Sequence, residues 1–279
     1  MRDLVELHAP GVIVTLDLAA GGRAVSWTID GVEIIGAESS ASIDYGMYPM
    51  APWGGRVRDN IVRVDGAEYP LAPSHESWAI HGTVLSAQSR LVDRDSSLDR
   101  SVATIVTELG PSWPWAGRLT AHWEVRPDLV LTRLILEAEE QCFPGVVGWH
   151  PWFKRFLGAG ESASWSLTEP LLAERLDAFE LSGDLIAVDL GSRAFDDAFL
   201  VASRTATIEW PGQFRIDISS SHPWFVVFDE RADFICIEPQ SGPPNGINES
   251  RLAPVTLVGP GQPVTLANEW RITRGQPAG

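Results

Sequence analysis

Three stretches of this chain set titratable side chains among bulky aromatics. The first is Tyr48-Pro49-Met50-Ala51-Pro52-Trp53-Gly54-Gly55-Arg56-Val57-Arg58-Asp59-Asn60, followed by Trp78-Ala79-Ile80-His81-Gly82. The second is Gly148-Trp149-His150-Pro151-Trp152-Phe153-Lys154, and the third runs from Phe234-Ile235-Cys236-Ile237-Glu238-Pro239-Gln240 to Asn248. A shielded carboxylate and an imidazole can remove one proton and deliver another, each contributing typically ~10²–10⁴-fold to a rate. Glu238 follows an apolar run and precedes two turns, which places it at a strand end, partly shielded, where its basicity rises. For His150 to act as an acid near neutral pH, a neighbouring carboxylate should hold its pKa up. Taken singly each residue has an ordinary structural role: a core histidine bonded to a carbonyl, the first exposed residue after a strand, a surface arginine.

Short β-prone runs punctuated by turn residues surround these stretches. Gly11–Leu18, Ala24–Ile29 and Val32–Ile35 alternate in the manner of strands, with Asp30-Gly31 between the last two. Asp-Gly suits a type I′ hairpin because both central residues need positive φ. The arrangement recurs at Asp65-Gly66, and a third hairpin is expected from Leu119 to Glu137, turning at Arg126-Pro127-Asp128. Further strands are expected at Val102–Leu109, Phe199–Val201, Thr207–Trp210, Phe214–Ser219, Trp224–Phe228, Phe234–Ile237 and Val264–Leu266. Helical periodicity is scarce, and Leu171–Glu180 is where a turn or two of helix is expected. The 20 prolines and 25 glycines are spread evenly, without a linker or repeat. These features predict an all-β chain, one large antiparallel β-sandwich domain over residues 1–279.

Composition narrows the function. A net charge of −16 disfavours nucleic acid and anionic membrane surfaces as partners. No apolar run approaches the ~18 residues of a membrane span, and the first residues lack the layout of a secretory signal. With only Cys142 and Cys236, reduced thiols and a cytoplasmic setting are expected. Twelve tryptophans suit stacking on a flat ligand as well as a β-sandwich core. No phosphate-binding glycine loop, dinucleotide fingerprint or G-x-S-x-G elbow occurs. His75 and His81 lack zinc-site company, so no metal or cofactor is expected. Asn248-Glu249-Ser250 is a formal glycosylation sequon that a cytoplasmic chain would not use.

From Trp53 to Gly259-Pro260-Gly261-Gln262, the sequence resembles the aldose 1-epimerase (galactose mutarotase-like) family. Cys236-Ile237-Glu238-Pro239-Gln240 with Asn248 carries the resemblance most specifically, and His150-Pro151-Trp152-Phe153 comes next. The resemblance implies a large antiparallel β-sandwich and an isomerase of carbohydrate metabolism that needs no cofactor. It implies Glu238 as general base on the anomeric hydroxyl and His150 as general acid on the ring oxygen. It also implies His81 as a second, polarising histidine, Arg56 as a contact to sugar hydroxyls and Asp196 as a substrate-binding carboxylate, with Asp197 an alternative register. Trp149, Trp152 and Trp53 offer apolar faces to a sugar. Gly55 stands where the family commonly has Asn, Trp152 where it has Tyr, and Lys154-Arg155 where many members have Asn-Leu.

The expected partner is a small sugar whose α and β anomers interconvert by ring opening and closure. A sugar phosphate would want cations, for which Lys154, Arg155 and Arg58 are the nearest suspects. A non-catalytic sugar-binding protein would be expected to lack the acid or base. A glycoside hydrolase would pair Glu238 with a second carboxylate such as Asp196. A homodimer through exposed strand edges stays open.

Overall fold

The computed structural model describes residues 3–36, 43–177, 180–248 and 251–275. They form two large antiparallel sheets and two small ones, with 3₁₀ turns at Leu18–Ala20 and Arg58–Asn60 and no α-helix among the described residues.

The larger sheet runs in the order Leu4–Ala9, Val12–Asp17, Arg23–Ile29, Met47–Met50, Gly148–Pro151, Phe234–Gln240, Trp224–Phe228, Asp196–Val201, Pro170–Asp177 and Glu180–Ala187. The short strands Val32–Glu33 and Phe153–Lys154 attach beside Arg23–Ile29 and Phe234–Gln240. The second sheet orders Ser164–Leu167, Thr205–Trp210, Phe214–Ser220, Val264–Arg274, Leu129–Ala138, Gly117–Arg126, Ser101–Glu108 and Ser89–Ser96.

Turn chemistry sets the hairpins. Asp30 and Gly31 both take positive φ, as do Asp65 and Gly66, and each pair joins strands in direct register. Arg126 pairs with Leu129, so Pro127-Asp128 closes the third hairpin with two residues.

Alternation along the strands assembles the core. Trp149 of the larger sheet meets Trp123 of the second edge-on at 4.9 Å, and Trp27 meets Trp270 at 6.0 Å. These rings are fully buried, with Phe153 and Trp210 beside them. Side chains alternate between faces with period two. Trp149 therefore points into the sandwich, and His150 points to the outer face of the larger sheet.

Two expectations are corrected. Leu171–Glu180 contains no helix: Pro170–Asp177 and Glu180–Ala187 are strands, with 178 and 179 outside the described residues. Leu171 and Leu172 pair with Leu200 and Phe199, so a neighbouring strand overrides a weak local helical tendency. The strand expected to end at Ile237 continues to Gln240. Glu238 is thus mid-strand and 2% exposed, not a half-shielded residue at a strand end.

Candidate active site

The site lies on the outer face of the larger sheet. Three neighbouring strands supply its floor: Met47–Met50, Gly148–Pro151 and Phe234–Gln240. Tyr48 pairs in register with His150, and Val226 with Glu238. Alternation then puts Trp152 on the same face as His150, and Gln240 on the same face as Glu238. A cavity of about 220 Å³ opens above this floor. Arg56, His81, Asp196, Trp152, Arg231 and Gln240 stand in its wall with the two central residues.

His150 Nε2 lies 3.1 Å from Glu238 Oε1, and Gln240 Nε2 donates to Glu238 Oε2 at 3.2 Å. The His150 ring stacks between Tyr48 at 4.8 Å and Trp152 at 5.3 Å, with the edge of His81 at 4.9 Å. Rotation of the imidazole is blocked on both faces.

Backbone lacing brings His81 and Arg56 to the same wall. The His81 N–H donates to Gly55 O, Val57 N–H to Ala79 O and Thr83 N–H to Ala51 O. His81 itself holds φ of 59°, uncommon for a side-chain-bearing residue, and Gly82 follows at 82°. Two left-handed residues in succession turn the imidazole inward. A Cβ on Gly82 would lie 1.9 Å from Ala51 O, so only glycine fits there. Nδ1 of His81 receives the Gly55 N–H at 3.3 Å and lies 2.9 Å from Met50 Sδ. A backbone N–H is an obligate donor and a thioether a weak acceptor, so the ring proton is assigned to Nε2.

Burial dominates the electrostatics. It pushes Glu238 well above the usual carboxylate range, and the negative charge of Asp196 pushes the same way. Burial drives His150 well below its ordinary value, with His81 and Arg23 adding to the fall. His81 is lowered to about 3, first by burial and then by Arg56. The expectation that a carboxylate would hold His150 up is thereby reversed. Desolvation disfavours both charges of the contact and so favours the uncharged carboxyl and the uncharged imidazole.

The sequence-based candidates divide cleanly. Glu238, His150, His81, Arg56, Asp196 and Trp152 all line one cavity. Trp149 is corrected: it is fully buried between the sheets, one residue out of phase with His150. Trp53 packs on Trp113 at 5.5 Å in the core. Asp196 lies 3.8 Å from Arg56, whereas Asp197 is held by Arg175 at 3.2 Å and Arg193 at 2.7 Å. Both aspartates line the cavity, and Asp196 is the less tightly paired of the two. Lys154, Arg155 and Arg58 are outside the cavity wall; Arg155 donates to the carbonyls of Asp229, Arg231 and Phe234, and Arg58 pairs with Glu180. Asn248 clips the backbone of Ile61 and Arg63; Glu249 and Ser250 of its sequon lie outside the described residues.

Sequence reasoning missed Gln240, Tyr48, Arg175 and Arg231. Gln240 was findable, because it is two residues beyond Glu238 on a strand and shares its face. The arginines come from distant segments and carried no local signal. Among the described residues, no group of three or more His, Cys, Asp or Glu is placed to hold a metal ion. No helix there is long and apolar enough to cross a membrane.

No family model and no curated protein matches the chain by sequence. Solved structures match it over nearly the whole length. A galactose mutarotase-like protein from Clostridium acetobutylicum is 15% identical with a TM-score of 0.83, covering 97% of this chain and 95% of its own. An aldose epimerase homologue from C. elegans is 14% identical with a TM-score of 0.81, covering 99% and 100%. Galactose 1-epimerase from Lactobacillus acidophilus NCFM is 14% identical with a TM-score of 0.74, covering 98% and 95%. The chain has the galactose mutarotase-like β-sandwich fold.

Proposed function

We propose that this chain, built on the galactose mutarotase-like fold, is a cofactor-independent aldose 1-epimerase acting on a free sugar. The observation that carries the reading is the 3.1 Å contact between His150 Nε2 and Glu238 Oε1 at the floor of the cavity.

In the reactive form the pair is a carboxylate and an imidazolium, reached from the neutral pair by moving one proton across that contact. Glu238 takes the proton of the C1 hydroxyl while His150 gives its own to the ring oxygen. The C1–O5 bond breaks, C1 becomes an open-chain aldehyde, and the pair is left neutral. Burial therefore favours the protonation state that ring opening produces. Rotation about C1–C2 presents the other carbonyl face. Closure returns one proton from Glu238 to the carbonyl oxygen and one from the C5 hydroxyl to His150. The His81 Nε2–H donates toward the same oxygens, Arg56 and Asp196 bind hydroxyls, and Trp152 offers a flat apolar wall.

The charges around the cavity favour a neutral sugar over a phosphate ester. Arg56 lies beside Asp196, Arg175 beside Asp197, and Arg231 3.9 Å from Asp44. Each guanidinium already faces a carboxylate, which leaves no surplus of positive charge for a dianion.

Polarimetry on freshly dissolved α-D-glucose and α-D-galactose tests the reading. Wild type is expected to speed the approach to equilibrium rotation, and Glu238→Gln to slow it by about 10²–10⁴-fold. Methyl glycosides should stay intact; release of reducing sugar would replace this reading with glycoside hydrolysis. No acceleration on any free aldose would remove the enzymatic reading.

A further inference from the structure

Arg23 is fully buried, yet it forms no ion pair among the described residues. Its guanidinium donates to the carbonyls of Tyr45 at 3.0 Å and Leu85 at 3.3 Å. It lies over the Tyr45 ring at 4.1 Å and the Tyr48 ring at 4.6 Å. Tyr48 in turn stacks on His150, and His150 on Trp152. Guanidinium, phenol, imidazole and indole thus follow one another in a stack running from the interior to the cavity wall. The chain makes room for the cation: a Cβ on Gly46, which has φ of 71°, would come within 3.2 Å of the Arg23 stem. A buried cation is costly without compensation, and an apolar side chain would fill the same core space at lower cost.

We propose that Arg23 is a positioning residue for His150: acting through Tyr48, it clamps the imidazole plane and sets a fixed positive charge behind that ring. This rests on reading His150 and Glu238 as the acid–base pair. Arginine fits the task because its charge persists when buried and its plane stacks on an aromatic ring. The groups facing His150 are Tyr48, Trp152, His81 and Glu238, with Arg23 behind Tyr48 and Asp17 opposite Arg23 in strand register. Burial and His81 act on the ring in the same direction as Arg23.

The test compares Arg23→Gln and Arg23→Lys with wild type. Removing a positive charge one ring beyond His150 makes the pair easier to protonate, so both limbs of the kcat/KM–pH profile should move alkaline in Arg23→Gln, by about half a unit to one unit. Arg23→Lys, which keeps the charge, should return the limbs toward wild type. The ¹⁵N shifts of the His150 ring, assigned by their loss in His150→Gln, should show a larger imidazolium fraction in Arg23→Gln at fixed pH. That readout needs no turnover, so it separates failure of this inference from failure of the epimerase reading. If Arg23→Gln does not fold, Tyr48→Leu breaks the stack with the cation in place; kcat should fall with KM little changed, and Tyr48→Phe should restore it. Unmoved limbs with unmoved ring shifts, or a Tyr48→Leu enzyme with wild-type kcat, would overturn the proposal.

Discussion

His150 and Glu238 stand directly opposite each other on neighbouring antiparallel strands. Gly148 pairs with Gln240 and Phe153 with Ile235, and counting inward from either pair sets position 150 against 238. Opposed residues on one face have Cβ atoms about 4.5–5.5 Å apart, close enough for the two side chains to meet. Each residue is followed by a proline, Pro151 and Pro239, neither of which has an N–H to give the ladder. The strands therefore bond at the two ends of this interval, and between them the contact is made by side chains.

Phase along that strand separates two tryptophans that the sequence presents alike. Trp149→Leu should cost about 2–4 kcal/mol in urea denaturation, because it empties space between the sheets. Its kcat/KM per folded molecule should stay near wild type. Trp152→Leu should lower kcat/KM about tenfold or more with a smaller stability loss, since it removes a stacking partner of His150 and part of the cavity wall. Equal kinetic effects at both positions would contradict the face assignment.

His81 makes stability acid-sensitive. Its folded pKa of about 3 is depressed from 6.5, so the unfolded chain binds more protons throughout that window. Stability is then fully present above about pH 6.5 and lost as pH falls toward 3. Between pH 7 and pH 5 the His81 share is about 2 kcal/mol, and His81→Asn should lose that much less than wild type over the same interval. Glu238 has the opposite sign: its folded pKa is raised from 4.5, so its contribution is present below that value and lost as pH rises. Glu238→Gln should accordingly gain stability relative to wild type as pH increases, read by denaturation at a series of pH values.

Asp196 and Arg56 should behave as binding residues. Asp196→Asn is expected to raise KM about tenfold with a smaller change in kcat, as for loss of a charge-assisted hydrogen bond to substrate. Arg56→Met should weaken binding and also shift the acid limb of kcat/KM upward, because the Arg56 charge lowers both Asp196 and Glu238. Initial rates across pH separate the two effects.

A side chain at Gly54 should displace Gln240. A Cβ there would fall 2.4 Å from Gln240 Oε1, at the residue that donates to Glu238. Gly54→Ala is expected to cut kcat through displacement of Gln240. Gln240→Leu should reproduce the loss, and combining the two should cost little more than either alone.

Local chemistry determined much of this protein before any folding. Asp30-Gly31 and Asp65-Gly66 had to turn, because each needs consecutive positive φ that few residue pairs allow, and alternating apolar residues had to form strands with one buried face. His150, Glu238, His81 and Arg56 were legible because titratable side chains amid apolar runs are costly to bury without a use. Period-two alternation would also have separated Trp149 from Trp152 and joined Gln240 to Glu238. Tertiary structure alone decided the rest. Leu171–Asp177 became a strand because Phe199 and Leu200 offered it an edge. Asp196 and Asp197 were told apart by where Arg56, Arg175 and Arg193 arrive from distant segments. At the His150–Glu238 contact burial, a property of the whole fold, raises the carboxyl and lowers the imidazole, opposing the local attraction of opposite charges.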